Sequence, residues 1–180
     1  MNYIIFDLEA TCEKNIKLPD SEIIEIGAVR LDKDLKETGR FCRFIRPVYR
    51  PVLSEFCKRL TTIKQSETDS AEIFSEVLPA FEDWIEETGP ARLYSWGGYD
   101  KRQILRESKM KNYSGKIQRL LENHFNLKEE YQKVYNHSYG SGMDTALKAL
   151  GIPLEGTHHR GIDDAVNIAK IFKAIFHSLT

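Results

Sequence analysis

The order of secondary-structure signals along the chain favours an α/β fold in which helices cover a mixed sheet. Three β-rich segments come first and predict a meander, and helical periodicities then alternate with shorter β-rich segments. This order of elements is typical of an α/β domain. The chain has 180 residues, of which 41% are hydrophobic, so it can bury one sizeable core, and we predict a single domain over residues 1–180.

The meander begins with an apolar run, residues 3–11, which suits a strand that is buried on both faces. Residues 22–31 are rich in β-formers and residues 41–46 alternate, which predicts two further strands. Prolines follow and end the meander, because proline cannot donate to the ladder. Residues 53–60 then predict a short helix.

The rest of the chain alternates between helical and extended segments. A capping-box pattern at residues 69–72 predicts the start of an amphipathic helix, which Gly89 and Pro90 end. Residues 92–96 predict a strand, and the glycine-rich turn after it places Asp100 near a helix start. The remaining predicted elements are helices near residues 116–123 and 143–150, a short strand around 125–127, and a last helix with Asp163 and Asp164 in its first turn.

The composition is that of a globular protein, with 29% charged residues and a net charge of −1. This net charge gives no global attraction to nucleic acid. Basic residues nevertheless concentrate in residues 36–64 and 92–119, on either side of an acidic stretch at residues 67–87. Such segregation permits a local phosphate-binding face, although solvated helix faces explain each segment equally well.

The opening apolar run is too short for a membrane span or a signal peptide and ends in charged residues. We therefore expect a cytoplasmic protein without membrane contact. The three cysteines, Cys12, Cys42 and Cys57, are odd in number and show no C-x-x-C spacing. Both features argue against a disulfide framework and a zinc site, so we expect reduced thiols.

Acidic side chains stand at the ends of several predicted elements. Asp7 and Glu9 point to one side of the first strand, at the C-terminal end where open α/β sheets bind ligands. Asp100 follows a later strand, and Asp164 opens the last helix. If the fold gathers these acids, each pair of carboxylates about 4 Å apart would repel by roughly 4 kcal/mol at an effective dielectric constant of about 20. Such a cluster requires cations or protons, whereas a D-x-E pair alone also fits a strand that ends at a polar turn.

Carboxylate oxygens without cysteine select hard cations, so the predicted occupant is Mg²⁺ or Mn²⁺ rather than zinc. Two such ions about 3.5–4 Å apart stabilise the attacking and leaving oxygens of a displacement at phosphorus, which favours phosphodiester hydrolysis. That reaction also needs a proton acceptor for the attacking water. His158 and His159 lie in a glycine-containing turn just before Asp164 and can supply one, although a loop histidine can also be structural or merely exposed.

Three motifs occur along the chain: F-D-L-E-A-T at residues 6–11, S-W-G-G-Y-D at 95–100 and H-R-G-I-D-D at 159–164. The last has the spacing H-x4-D. With these motifs the chain resembles the DEDDh exonucleases, which fold like ribonuclease H and remove nucleotides from 3′ ends. Segments within residues 53–65 and 161–169 look like the branch of the histone-mRNA 3′ exonuclease and the KapD-type sporulation-inhibitor relatives. The resemblance implies a ribonuclease H-like α/β fold, with a mixed sheet of roughly five strands and helices on both faces.

The resemblance implies a 3′-to-5′ exonuclease that hydrolyses single-stranded RNA or DNA, with RNA favoured, to nucleoside 5′-monophosphates. The implied cofactors are two Mg²⁺ or Mn²⁺ ions. The implied metal ligands are Asp7, Glu9, Asp100 and Asp164, with Asp7 bridging both ions. The implied nucleotide-binding residues are Leu8, Glu9, Ala10, Thr11 and His159, with Phe56, Leu60 and Trp96 packing against bases.

Glu9 and His159 are the implied catalytic residues. His159 is implied as general base because His158 stands one residue too far from Asp164. Asp163 is expected to be a helix cap, and Glu25 a structural acid that needs a partner if it is buried.

Two alternatives remain open. Haloacid-dehalogenase-like phosphatases also place D-x-D-x-T after an apolar strand, and a covalent phosphoaspartate on Asp7 would identify one. Their second carboxylate is normally Asp, and they need no H-x4-D. The other alternative is a binding module that has kept the fold without the activity. The sequence leaves open the choice of RNA or DNA, the cellular substrate, the protein partners and the oligomeric state.

Overall fold

The computed structural model describes residues 1–136 and 142–179. In this part of the chain, five strands form one mixed sheet in the order β3-β2-β1-β4-β5. β1 pairs antiparallel with β2 and parallel with β4, and so lies at the centre of the sheet. The strands are β1 (Asn2–Ala10), β2 (Ile23–Leu31), β3 (Glu37–Phe44), β4 (Ala91–Ser95) and β5 (His124–Asn126). The predicted mixed sheet is confirmed.

Helices cover both faces of this sheet. The α-helices are α1 (Glu55–Thr61), α2 (Gln65–Asp69), α3 (Phe74–Glu86), α4 (Tyr99–Met110), α5 (Ile117–Leu120), α6 (Leu127–Tyr135), α7 (Met143–Ala149) and α8 (Gly161–Ile175). Successive residues of a strand face opposite ways. Phe6 accordingly packs in a core cluster with α3, α4 and α5, and Ile5 packs in a second cluster with α6, α7 and α8. Within the described residues, no helix is long and apolar enough to cross a membrane.

The capping box predicted at residues 69–72 is wrong. Asp69 ends α2, a helix that the sequence did not predict, and α3 begins at Phe74. The observed box lies a few residues later, where the Glu76 carboxylate accepts the Ile73 backbone N–H at 2.9 Å. Several positions in a polar stretch can match the spacing of a capping box, and tertiary contacts decide at which of them the helix begins.

One strand boundary and one further helix also differ from the prediction. β3 begins at Glu37 rather than at residue 41, because it is an edge strand whose side chains are mostly exposed and polar. α6 was not predicted, since few apolar residues mark its buried face, with Leu127 and Tyr131 as its buried side chains. Helices of this length owe their stability to packing rather than to intrinsic propensity.

Candidate active site

A cleft of about 330 Å³ opens at the C-terminal end of β1. Its walls come from β1, the turn after β4, the starts of α4 and α7, and the loop and first turns of α8. The lining residues that bear acids or imidazoles are Asp7, Glu9, Asp100, Asp144, His158, His159 and Asp164. The sheet topology therefore gathers the acids that the sequence places at the ends of separate elements.

Three of these acids approach one another closely. Carboxylate oxygens of Asp7, Glu9 and Asp164 lie within 4.8 Å of one another, a spacing at which one cation can contact all three. Asp100 lies in the first turn of α4, is 3% exposed and lines the same cleft. The oxygen-rich donor set fits a hard divalent cation such as Mg²⁺ or Mn²⁺.

The electrostatics of the acids also fit a cation. Burial, followed by the nearby carboxylates of Asp100, Glu9 and Asp164, raises the pKa of Asp7 well above its usual range. Burial and the charge of Asp164 raise the pKa of Glu9 to about 9. Burial raises the pKa of Asp100 to about 6, although hydrogen bonds partly offset this. Without a cation, these carboxyl groups relieve their repulsion by retaining protons.

The two histidines both contact Asp164, in different ways. The His158 Nδ1 lies 3.1 Å from each Asp164 carboxylate oxygen, whereas the His159 backbone N–H donates to Oδ2 at 3.0 Å. The two rings stack with their centroids 4.1 Å apart. The expectation that His158 stands too far from Asp164 is therefore wrong for its side chain. Burial and the neighbouring His158 lower the pKa of His159, so its ring is neutral at neutral pH.

Glu25 holds the end of the loop that carries His158 and His159. Its buried carboxylate accepts the Gly161 backbone N–H at 2.9 Å and the Arg160 Nε–H at 3.2 Å. The negative charge also lies at the N-terminus of α8, where the helix dipole favours it. Glu25 is thus the structural acid that the sequence suggests, and Arg160 with the helix terminus is its partner.

Asp163 is not the cap that the sequence predicts. The cap position of α8 is Arg160, which makes no side-chain cap bond. The Asp163 carboxylate instead accepts the Thr157 backbone N–H at 2.8 Å and so fastens the loop that carries the histidines.

Only some of the predicted nucleotide-binding residues line the cleft. Those that do are Leu8, Glu9, Trp96 and His159. The Thr11 side chain is buried and its oxygen accepts the Glu22 backbone N–H at 2.9 Å, so it has a structural partner. Ala10, Phe56 and Leu60 are not among the described residues that line the cleft, although Ala10 ends β1 and the other two lie on the neighbouring α1.

The cleft wall also contains residues that the sequence did not predict: Tyr99, Gly142, Met143, Asp144 and Ile168. Tyr99 is 49% exposed, lines the cleft and stands next to Asp100. An exposed aromatic ring beside an acid cluster is suited to contact a nucleobase. The signal was present in the motif S-W-G-G-Y-D, in which only the tryptophan and the aspartate were assigned a role.

The exonuclease family RNase_T matches residues 4–172 of the chain. The human protein "3'-5' exoribonuclease 1" is 33% identical over an alignment of 181 positions that covers 93% of this chain and 50% of that protein. "ERI1 exoribonuclease 2" of Xenopus laevis is 32% identical over 193 residues, covering 93% of this chain and 27% of that protein. The chain thus spans half or less of the length of these two relatives.

Solved structures resemble this one over nearly the whole chain. The nuclease domain of 3'hExo, described as a DEDDh family member bound to rAMP, superposes with a TM-score of 0.89 at 28% identity. That match covers 98% of this chain and 92% of the other. A 3'-exonuclease structure described as "3'-end specific recognition of histone mRNA stem-loop" gives a TM-score of 0.87 at 25% identity, covering 98% and 82%.

Proposed function

The chain belongs to the RNase_T exonuclease family, within its DEDDh group, and from this premise we propose that it is a metal-dependent 3′-to-5′ exonuclease. It hydrolyses phosphodiester bonds of single-stranded nucleic acid and releases nucleoside 5′-monophosphates. The observation that carries the proposal is the cluster of Asp7, Glu9 and Asp164 oxygens within 4.8 Å, with Asp100 in the same cleft. Family membership argues against the phosphatase alternative. We also propose that residues 1–180 form a single exonuclease domain.

DEDDh exonucleases use divalent metal ions, and the proposed cofactors are two Mg²⁺ or Mn²⁺ ions. Asp7, Glu9, Asp100 and Asp164 would hold them. When bound, such a pair of ions activates water and stabilises the charge that develops on the attacking and leaving oxygens. The raised pKa values of Asp7 and Glu9 support this role, because a bound cation removes the repulsion that burial intensifies.

His159 is the proposed general base. Its lowered pKa keeps the imidazole neutral at neutral pH, in the form that can accept a proton from the attacking water. Its left-handed backbone, with φ of 65°, turns the loop toward Asp164. Glu25 and Asp163 hold this loop by hydrogen bonds on either side of it.

The terminal nucleotide is proposed to lie along the end of β1, against residues 8–11, with Trp96 packing on a base. Phe56 and Leu60 of α1 are proposed as more distant packing partners. Stacking tolerates any base, so we expect little sequence preference. RNA is the favoured substrate, because the matched relatives are named exoribonucleases. A contact to the 2′-hydroxyl is the physical means by which the site would distinguish RNA from DNA.

The proposal is tested with matched RNA and DNA strands that carry a label on the 3′-terminal nucleotide. We expect labelled monophosphate to appear with Mg²⁺ or Mn²⁺ and not with a chelator, and RNA to react faster. Asp7→Ala is expected to abolish release. Asp34→Asn, which changes an exposed turn acid far from the cleft, serves as the matched control.

Two results would contradict the proposal. Full activity of Asp7→Ala would show that the proposed metal site takes no part in the reaction. Undiminished cleavage of a strand with a blocked 3′ end would indicate an endonuclease. Tight binding of the unblocked strand without any turnover, under every metal condition, would support the binding-module alternative instead.

A further inference from the structure

Two cysteine side chains meet beside the end of β1. Cys12 follows the strand and is partly exposed, whereas Cys57 lies in α1 and is 0% exposed. Their side chains interact closely enough for each to shift the pKa of the other, that of Cys12 upward and that of Cys57 downward. Both pack in a small apolar cluster beneath the strand end, whose other buried members are Ile24, Leu53 and Ile63. The two cysteines therefore share one site, open to solvent on the Cys12 side, although they lie far apart in sequence.

One hydroxyl joins the backbones of the two cysteines. The Ser54 Oγ donates to the Cys12 carbonyl oxygen at 2.7 Å and accepts the Cys57 backbone N–H at 3.0 Å. The Cys57 sulfur lies 3.8 Å from the Ala10 carbonyl oxygen. These contacts hold the first turn of α1 against the segment that follows β1. The two cysteines are therefore held next to each other in the folded protein.

We propose that Cys12 and Cys57 form an oxidation site, at which a peroxide converts the two thiols into a disulfide that slows the enzyme. The reduced pair is the resting state. The effect on turnover rests on the nuclease function proposed above, whereas formation of the bond does not. Cys42 lies outside the site, because its thiol is exposed on β3 and donates to Glu25 Oε1 at 3.5 Å.

The oxidant is hydrogen peroxide or an organic peroxide, and the chemistry has two steps. The Cys12 sulfur, which solvent can reach, attacks one peroxide oxygen; an S–O bond forms, the O–O bond breaks, and the leaving oxygen departs with the thiol proton as water or alcohol. The Cys57 sulfur then attacks the Cys12 sulfur; the S–S bond forms, the S–O bond breaks, and hydroxide leaves with the Cys57 proton as water. The two sulfurs together lose two electrons, which the peroxide gains.

The interaction between the two thiols acts on them in opposite directions. It lowers the pKa of Cys57 to about 7 and, together with burial, raises the pKa of Cys12 well above its usual range. The attack of Cys12 on the peroxide is therefore the slow step, because the thiolate is the reactive form of a cysteine.

Closing the disulfide is expected to disturb the acid cluster. An S–S bond is about 2.05 Å long, much shorter than a contact between two thiols, so the sulfurs must approach each other. Cys57 moves toward Cys12 with α1, and its contact with the Ala10 carbonyl transmits the movement to the end of β1. Glu9 is the neighbouring residue in the chain, and β1 is already irregular between Glu9 and Ala10.

The test treats metal-free protein with a small excess of hydrogen peroxide, followed by desalting, mass spectrometry and the 3′-end release assay. We expect the mass to fall by two hydrogens, a peptide that links Cys12 to Cys57, and a rate at least about fivefold lower that dithiothreitol restores. Cys12→Ser and Cys57→Ser should each lose the cross-link and the inhibition. Cys42→Ser should behave as the wild type does.

Three results would overturn the proposal: three alkylatable thiols after treatment, oxidation of Cys12 to a sulfinic acid without a cross-link, or a cross-linked protein that keeps the full rate. Equal inhibition of Cys57→Ser would also overturn it, because oxidation elsewhere would then be responsible. If untreated protein releases no nucleotide, the proposed nuclease function fails, and the mass measurement still decides whether the disulfide forms.

Discussion

Gly27 of β2 lies directly against Gly161, the first residue of α8. A Cβ atom on Gly27 would stand 2.1 Å from the Gly161 carbonyl carbon and from the Ile162 nitrogen. Gly27 is also the partner of Asp7 across the β1–β2 ladder. This close approach lets the start of α8 rest on the sheet beside Asp7, and one turn later the helix brings Asp164 to the same place.

Gly27→Ala is therefore expected to destabilise the protein by about 2–4 kcal/mol, because the methyl group overlaps backbone that cannot move aside. It should also weaken Mn²⁺ binding, since α8 and Asp164 are displaced from Asp7. Chemical denaturation and calorimetric titration with Mn²⁺ measure the two effects. Gly39→Ala is the matched control, because its Cβ would meet nothing closer than 3.7 Å. Equal stability of the two variants would contradict the role of Gly27.

Asp7→Asn is expected to abolish turnover, and at alkaline pH, where the wild-type carboxyl group is forced to ionise, it is expected to stabilise the metal-free protein. Asp7 lies among the carboxylates of Asp100, Glu9 and Asp164, so removing its charge relieves repulsion that we place on the order of 1 kcal/mol. Thermal unfolding at alkaline pH in a chelator measures the change. Saturating Mn²⁺ should raise the midpoint of the wild type and leave that of the variant nearly unchanged. A lower midpoint for metal-free Asp7→Asn at alkaline pH would show that the cluster is not strained by charge.

The stability of the metal-free protein is expected to fall as pH rises. The pKa of Glu9 is about 9 in the folded protein against an ordinary value of 4.5, so the native state binds more protons than the unfolded state between these values. Asp7 and Asp100 act in the same direction. Their stabilising effect is complete below pH about 4 and is lost as pH rises toward about 9, on the order of a few kcal/mol.

Urea denaturation at several pH values, in a chelator and in excess Mg²⁺, checks this pH dependence. The metal should remove most of the slope, because it replaces the protons that the carboxyl groups otherwise retain. Glu9→Gln should reduce the slope of the metal-free protein. A stability that rises between pH 5 and 8 in the chelator would contradict the expectation.

The sequence predicts the elements that bring the acids together, but not all the contacts within the site. Asp7 and Glu9 lie near the end of the apolar strand β1, and Asp100 follows β4. Because the ends of parallel strands meet at one edge of a sheet, the convergence of these acids follows from local patterns. The contact between His158 and Asp164 does not follow from such local patterns. Spacing rules assume a regular backbone, and the left-handed conformation at His159, with φ of 65°, changes which ring reaches the helix.

Gly27 and the pair Cys12 and Cys57 also make contacts that local sequence patterns do not predict. Gly27 sits in a β-rich segment, and nothing in that segment indicates that a helix from the far end of the chain rests on it. Cys12 and Cys57 show no motif spacing, and their contact depends on where α1 packs after the prolines. Long-range packing decides such contacts, whereas periodicity reports only which face of an element is buried.

The two histidines are expected to differ sharply in their effect on turnover. His159→Ala should lower the single-turnover rate at saturating substrate by about 10²–10⁴, the usual contribution of a general base. His158→Ala should lower it by less than about tenfold, because its contact is with a carboxylate that the metal would also engage. His158→Ala should bind a single-stranded oligonucleotide about as tightly as the wild type does.

Added imidazole separates a lost base from a distorted site. It should partly restore turnover in His159→Ala, by accepting the proton that the missing side chain would have taken, and should have no such effect on His158→Ala. Rescue of His158→Ala alone, together with a larger loss of rate in that variant, would reverse the assignment. The base would then be the ring that lies 3.1 Å from Asp164, and the H-x4-D spacing would mark the residue that turns the loop.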